Sequence, residues 1–85
     1  MKLKYNFAIN EIADKTVAVA LDSDFKGILK MNATGAYIFK MLENDVTEQE
    51  IVASMEKDFT GATKEEIKQT VEEFVASLKK SDVLE

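Results

Sequence analysis

Carboxylates are the most abundant side chains of this chain that could take part in chemistry. The 85 residues include 16 Asp and Glu but no His and no Cys, so the commonest general base and every thiolate are absent. Two carboxylates could still act as general acid and general base. Most of the glutamates, however, fall on the exposed faces of predicted helices: Glu48, Glu50, Glu56, Glu65, Glu66, Glu72 and Glu73. We therefore predict that the chain is not an enzyme and has no catalytic residue.

Two short segments resemble ligand-binding loops. Asp22, Ser23 and Asp24 offer oxygen ligands, but no glycine and no bidentate glutamate follows at the spacing of a calcium loop. Thr34 and Gly35 contain one glycine, which is too few for a Gly-rich loop that cradles phosphate. The sequence thus predicts a turn at the first segment, and it predicts no metal site and no cofactor.

The composition is that of one small domain, which we assign to residues 1–85. Hydrophobic residues make up 46% of the chain, enough for one core, and charged residues make up 32%. The net charge of −5 argues against binding to nucleic acid, which depends on clustered Lys and Arg. No apolar run near the N-terminus is long enough for a signal or membrane segment, so we expect a cytoplasmic protein.

Three short strands are predicted in the first third of the chain. Aromatic and aliphatic side chains alternate with Asn and Ala over residues 5–10, which is typical of a half-buried strand. This alternation breaks at Ile12, where we expect a bulge or the end of the strand. A second strand follows over residues 16–21 and a third over residues 25–31. The polar turns between the strands are short, which predicts an antiparallel meander.

Three helices are predicted after the strands, each with an N-terminal cap. Asn32 can accept a hydrogen bond from the first turn of helix one. Thr47 with Glu50, and Thr63 with Glu66, match the capping-box pattern at the starts of helices two and three. The predicted fold is α+β and winged-helix-like: a three-stranded antiparallel β-meander followed by three α-helices. The C-terminal Val83 and Leu84 are expected to pack on the sheet.

A winged-helix shape raises the alternative of a DNA-binding regulator. The recognition helix would then be residues 64–73, in which Lys64 and Lys68 are outnumbered by glutamates. Phosphate would be repelled by such a helix. Fold alone does not decide function, so this alternative stays open but is disfavoured.

The third strand is the better candidate for a binding site. If it lies at the edge of the sheet, its unpaired backbone groups can template another chain. Lys26 and Lys30 either discourage aggregation at this edge or receive an acidic peptide. Ile28 lies between them on the face predicted to be exposed, although single exposed apolar residues are common. Pairing with a second copy, as a structural dimerisation module, is a further alternative.

A groove is expected between this strand and helix three. A rotation of 100° per residue places Val75 and Lys68 at one border of the helix's apolar stripe, with Lys64 close behind. The groove would then be apolar at its base and basic at its rim. Backbone bonds to the strand would give affinity, and pockets for alternate side chains would give specificity.

The strand-to-helix segment 31–42 resembles the Leu-Asn-x-Thr-Gly-x-x-Ile-x-x-Leu-Leu signature of the pyrroloquinoline quinone synthesis protein D (PqqD) family, also known as the RiPP recognition element. Met31 replaces the usual leucine, and Asn32, Thr34 and Gly35 match the motif. The order and length of the other predicted elements also agree with the family over essentially the whole chain.

The resemblance implies a non-catalytic adaptor, or peptide chaperone, that serves the synthesis of a cofactor or natural product. Family members bind the leader of a ribosomally made precursor peptide and present it to a modifying enzyme, often a radical SAM protein. The leader adds as a strand along strand three and lies against helix three. Carried over to this chain, the peptide-binding positions are Phe25, Lys26, Gly27, Ile28, Leu29, Lys30, Lys64, Lys68, Val71 and Val75.

Overall fold

The computed structural model describes residues 1–13, 15–21 and 28–85. Three strands form one antiparallel sheet in the order β1-β2-β3, and three helices follow. This confirms the predicted α+β fold. The expected turn at 22–24 and the expected strand positions Phe25, Lys26 and Gly27 lie outside the described residues. The elements are β1 (Phe7–Ile12), β2 (Lys15–Ala20), β3 (Ile28–Met31), α1 (Ala33–Met41), α2 (Glu48–Asp58) and α3 (Lys64–Lys80).

The sheet keeps its alternation through the whole β1–β2 ladder. The register runs from Phe7 opposite Ala20 to Ile12 opposite Lys15 without an inserted residue. The register thus contains no bulge, and the strand end expected near Glu11 is confirmed, since β1 ends at Ile12. Ile12 breaks the hydrophobic pattern because it is an exposed apolar side chain on the face turned away from the core.

All three predicted helix caps are present. Asn32 Oδ1 accepts a hydrogen bond of 2.9 Å from the Gly35 N–H. The capping boxes of Thr47 with Glu50 and of Thr63 with Glu66 are both complete. Each cap satisfies backbone donors that a helix start otherwise leaves unpaired, which explains why these helix starts were readable from the sequence.

The core lies between the inner face of the sheet and the three helices. Its fully buried large side chains come from every helix and from the C-terminal tail: Ile38, Phe39, Leu42, Ile51, Met55, Val71, Val75 and Val83. None of the helices among the described residues has the length and apolar character needed to cross a membrane.

The C-terminal tail packs against the N-terminal segment, whereas we had expected it on the sheet. Leu84 forms an isolated antiparallel bridge with Leu3, and the Lys4 N–H donates to Val83 O at 2.8 Å. Asp82 adopts a φ of 59°, the left-handed conformation that commonly ends a helix, and this turns the chain back from α3. The two ends of the chain are thereby held side by side.

Polar contacts join α1 to α2. The Tyr37 hydroxyl donates to Asp58 Oδ2 at 2.6 Å and lies 2.6 Å from Ser54 Oγ. The hydrogen bond to the Asp58 carboxylate raises the pKa of Tyr37 above its usual 10.0. The Tyr37 ring also meets Phe59 edge to face, at a centroid distance of 5.1 Å.

Candidate peptide-binding site

The junction between β3 and α1 brings the first turn of α1 against α3. An ideal Cβ added at Gly35 would lie 2.8 Å from Phe74 Cε1 and 3.2 Å from Met31 Cβ. A glycine in a helix costs roughly 0.5–1 kcal/mol relative to alanine. Here the missing side chain lets the Phe74 ring approach the α1 backbone. Gly35 is therefore the residue that permits close contact between the two helices.

A groove begins where β3 ends and runs between α1 and one side of α3. It encloses about 440 Å³. Four residues of α3 line it, and we call these the junction flank: Thr70, Glu73, Phe74 and Ser77. The opposite wall is the start of α1: Asn32, Thr34, Gly35 and Ile38.

The groove combines an apolar floor with neutral polar groups and one carboxylate. Phe74 and Ile38 supply apolar surface, while hydroxyl and amide groups supply hydrogen-bonding partners. Glu73 is the one charged residue among the described residues that line the groove, and its Oε1 accepts a hydrogen bond of 3.1 Å from Gln69 Nε2. The expected basic rim is therefore absent from this groove as described.

β3 ends at Met31, and the next residue, Asn32, lines the groove. β3 pairs with β2 from Thr16 opposite Met31 to Val19 opposite Ile28, and among the described residues no strand pairs with its other edge. Leu29 packs toward the core, whereas Ile28 and Lys30 are exposed. This agrees with the two faces predicted for the strand. The edge position, which the sequence left open, is decided by the strand order.

Lys64 and Lys68 lie on the opposite side of α3. With Val71 and Glu72 they face α2 across a separate cleft of about 570 Å³. We call Lys64, Lys68 and Glu72 the α2 flank. The α2 wall of this cleft is formed by Glu48, Gln49, Val52, Ala53 and Glu56. The groove expected between these two lysines and strand three stays a prediction, because Phe25, Lys26 and Gly27 of that strand lie outside the described residues.

Val71 and Val75 are core residues. Their exposed fractions are 0% and 2%, since α2 and the rest of the core cover this side of α3. Val75 was expected at the border of an accessible groove, but its side chain is covered by the core. The peptide-contacting roles carried over to Val71 and Val75 are not supported by the structure.

The sequence reasoning missed the junction flank. An angle of 100° per residue gives two borders of the apolar stripe on α3, and the groove predicted from the sequence uses the border that carries the lysines. The available signal was Gly35, since a glycine in the first turn of a helix marks a close approach. Its contact partner Phe74 is half-buried and packs against the core.

No group of three or more acidic side chains that could hold a metal ion occurs among the described residues. The structure thus offers, in the part of the chain it describes, a strand edge and a groove formed by apolar and neutral polar groups.

The described residues thus form a small α+β fold in which β3 lies at the edge of the sheet and a groove runs between α1 and α3. The chain belongs to the family of coenzyme PQQ synthesis protein D (PqqD), whose family model matches residues 16–84. This confirms the family suggested by the Asn-x-Thr-Gly junction. No curated protein matches the chain significantly.

A solved structure with a similar fold is that of TbiB1 in complex with the TbiA(beta) leader peptide. The TM-score is 0.79 and the sequence identity is 21%, and the alignment covers 100% of this chain and 95% of TbiB1. At this identity the similarity establishes the shared fold.

Proposed function

We propose that this protein is a non-catalytic, cytoplasmic adaptor that binds the leader of a ribosomally synthesised precursor peptide and presents it to a modifying enzyme of the radical SAM type. The observation that carries the proposal is the position of β3 at the edge of the sheet among the described residues, with a groove that begins at Asn32, directly after the strand. Membership of the PqqD family supports it, as does the similarity to TbiB1, whose structure contains a leader peptide.

The proposed binding mode is strand addition. Backbone groups on the free edge of β3 would pair with an extended peptide, with Ile28, Leu29 and Lys30 as the described strand positions of the site. Phe25, Lys26 and Gly27 stay proposed positions of the same strand. Alternate peptide side chains would point toward the core side of the sheet, where we propose that they contact the junction flank of α3 in preference to Lys64, Lys68, Val71 and Val75.

The groove indicates which peptide side chains fit. Phe74 and Ile38 offer contact to an apolar side chain, and Glu73 favours a neutral or cationic neighbour over an acidic one. Ordering a flexible leader costs about 2–5 kcal/mol or more, so backbone pairing and the apolar contact have to act together.

The proposal is tested by an NMR titration of the ¹⁵N-labelled chain. The probe is the N-terminal half of the peptide encoded by a short reading frame that neighbours the gene of this chain. We expect chemical-shift changes in Ile28–Met31, at Gly35 and in the junction flank, with little change at Lys64 and Lys68. Amide exchange of β3 should slow in the complex, because its outward N–H groups become paired.

A scrambled peptide of the same composition is the control. Shifts confined to α2 and the α2 flank would reject binding at β3. Light scattering of the free chain at increasing concentration separates peptide binding from strand pairing between two copies, since a β3-mediated dimer would dissociate when peptide is added.

A further inference from the structure

The large exposed apolar side chains of this protein are concentrated on the sheet. Among the described residues, the large hydrophobic side chains that are clearly exposed are Ile12 (64%), Val19 (39%), Leu21 (67%) and Ile28 (61%). None belongs to a helix. Such a concentration differs from the scattered single apolar residues that are normal on a surface.

The strand register places these side chains on one face. Ala8 lies opposite Val19, and Val19 lies opposite Ile28, so the three form a row across all three strands. The core-facing residues alternate with them, and Ala18 and Leu29 pack inward. The Leu21 N–H donates to Asn6 O at 2.9 Å, which continues the ladder one residue beyond β2.

We define the outer face of the sheet by the strand residues that alternate with the core-facing ones, together with Leu21. It consists of Ala8, Asn10, Ile12, Lys15, Val17, Val19, Leu21, Ile28 and Lys30. Val17 is half-buried but does not pack against the core. The apolar part is therefore continuous across the sheet, and nothing among the described residues covers it.

The charges on this face differ in sign from those of the whole protein. The chain has a net charge of −5. Yet the charged residues on the outer face of the described strands are Lys15 and Lys30, because Glu11 points to the other face, where its Oε1 accepts from Lys40 Nζ of α1 at 3.2 Å. An apolar surface bordered by cations fits a partner surface that is apolar at its centre and bordered by carboxylates.

A second copy of this chain fits less well. Two outer faces packed about a two-fold axis would place the same lysines on both sides of one interface, with no carboxylate of these strand faces to oppose them. A heterologous protein partner avoids this repulsion.

From these observations we infer that the outer face of the sheet docks the peptide-modifying enzyme through an apolar surface bordered by Asp and Glu. The inference rests on the proposed function, because a peptide strand added at β3 would extend this same face. An enzyme seated on it would then contact the adaptor and the bound leader side by side. Val19 would be a central contact, Ile12 would be a contact at the margin, and Lys15 would steer the encounter.

The test measures binding of the purified chain to the peptide-modifying enzyme encoded beside its gene, by biolayer interferometry. We expect Val19→Glu to weaken binding about tenfold or more, as for a central apolar contact, and Ile12→Glu to weaken binding by a smaller factor. Ala53→Glu on the exposed side of α2 adds the same charge and should leave binding unchanged. Lys15→Glu should weaken binding and flatten its dependence on salt.

Peptide affinity of the same variants is measured without the enzyme, by fluorescence anisotropy with the labelled leader. Retained peptide affinity in Val19→Glu, together with lost enzyme binding, supports the inference. Enzyme binding that is absent in the wild-type chain, or unchanged in both apolar-site variants, overturns it. A wild-type dimer that Val19→Glu converts to monomer also overturns it, by assigning the face to a second copy. If the wild-type chain does not bind the leader at all, the proposed function itself is rejected.

Thermal unfolding distinguishes a lost contact from a lost fold. Ile12 is at the end of β1 and exposed, so Ile12→Glu keeps the test usable if Val19→Glu disturbs the sheet.

Discussion

The two flanks of α3 differ in what they face and in how they are held. The junction flank meets the start of α1 through an aromatic ring against a glycine, and it borders the groove that continues from β3. The α2 flank meets α2 across a cleft with charges of both signs on its walls. Between them runs the buried stripe of Ile67, Val71, Val75 and Leu78. Charge alone therefore does not tell which side of this amphipathic helix faces the start of α1.

The strongest test of this comparison is Val75→Glu, which would introduce an unpaired carboxylate into the core. We expect a loss of about 3 kcal/mol or more in the free energy of unfolding, measured by urea denaturation. Lys68→Glu, on the exposed α2 flank, should leave the midpoint of urea unfolding unchanged. A Val75→Glu protein as stable as wild type would show that Val75 belongs to the surface and that the division between stripe and flank is wrong.

A double-mutant cycle between Gly35 and Phe74 sharpens the description of the junction. Gly35→Ala should cost about 1–3 kcal/mol of stability, because its Cβ overlaps the Phe74 ring. In the Phe74→Leu background the cost should fall, since the nearest ring atom is gone while the gain in helix propensity remains. Equal costs in both backgrounds would mean that Phe74 does not constrain Gly35.

A matched pair of arginine substitutions asks which flank receives the peptide. Ser77→Arg fills the junction groove, whereas Ala76→Arg adds the same side chain one residue earlier, outside that groove. We expect Ser77→Arg to weaken leader binding about tenfold, or roughly 1.4 kcal/mol, and Ala76→Arg to have little effect. Lys68→Glu should bind the leader normally. If Lys68→Glu instead weakened leader binding while Ser77→Arg bound the leader normally, the α2 flank would be the binding side.

The smallest expected effect concerns the polar contacts on the α2 side of α1. Tyr37→Phe removes the hydrogen bond to Asp58 and should cost about 0.5–1.5 kcal/mol at neutral pH. Because the hydrogen bond raises the pKa of Tyr37, its contribution is present below the usual value of 10.0 and is lost as pH rises through the folded-state value. Urea unfolding of both proteins should therefore show a difference that shrinks above pH 10. A difference that persists would assign the effect to packing.

Local patterns were sufficient for the element order and the helix starts. Asn32, Thr47 and Thr63 were identified as caps because capping depends on residues three positions apart, and the structure shows each of them bonded in this way. The alternation of residues along β3 correctly predicted that Leu29 faces the core and that Ile28 and Lys30 are exposed. The break in alternation at Ile12 correctly marked the end of β1, although no bulge is present there.

The sequence by itself determined the fold class, the caps and the family, since all three depend on spacings within a few residues or on the order of elements. Tertiary structure decided that β3 is an edge, that Val71 and Val75 are buried, and that Phe74 rather than Lys68 faces the junction. Helical periodicity fixes the angles between residues around the axis, but it does not fix how the helix is rotated against distant elements. That rotation is set by the packing of α3 on α2 and on Gly35, which joins residues far apart in the chain.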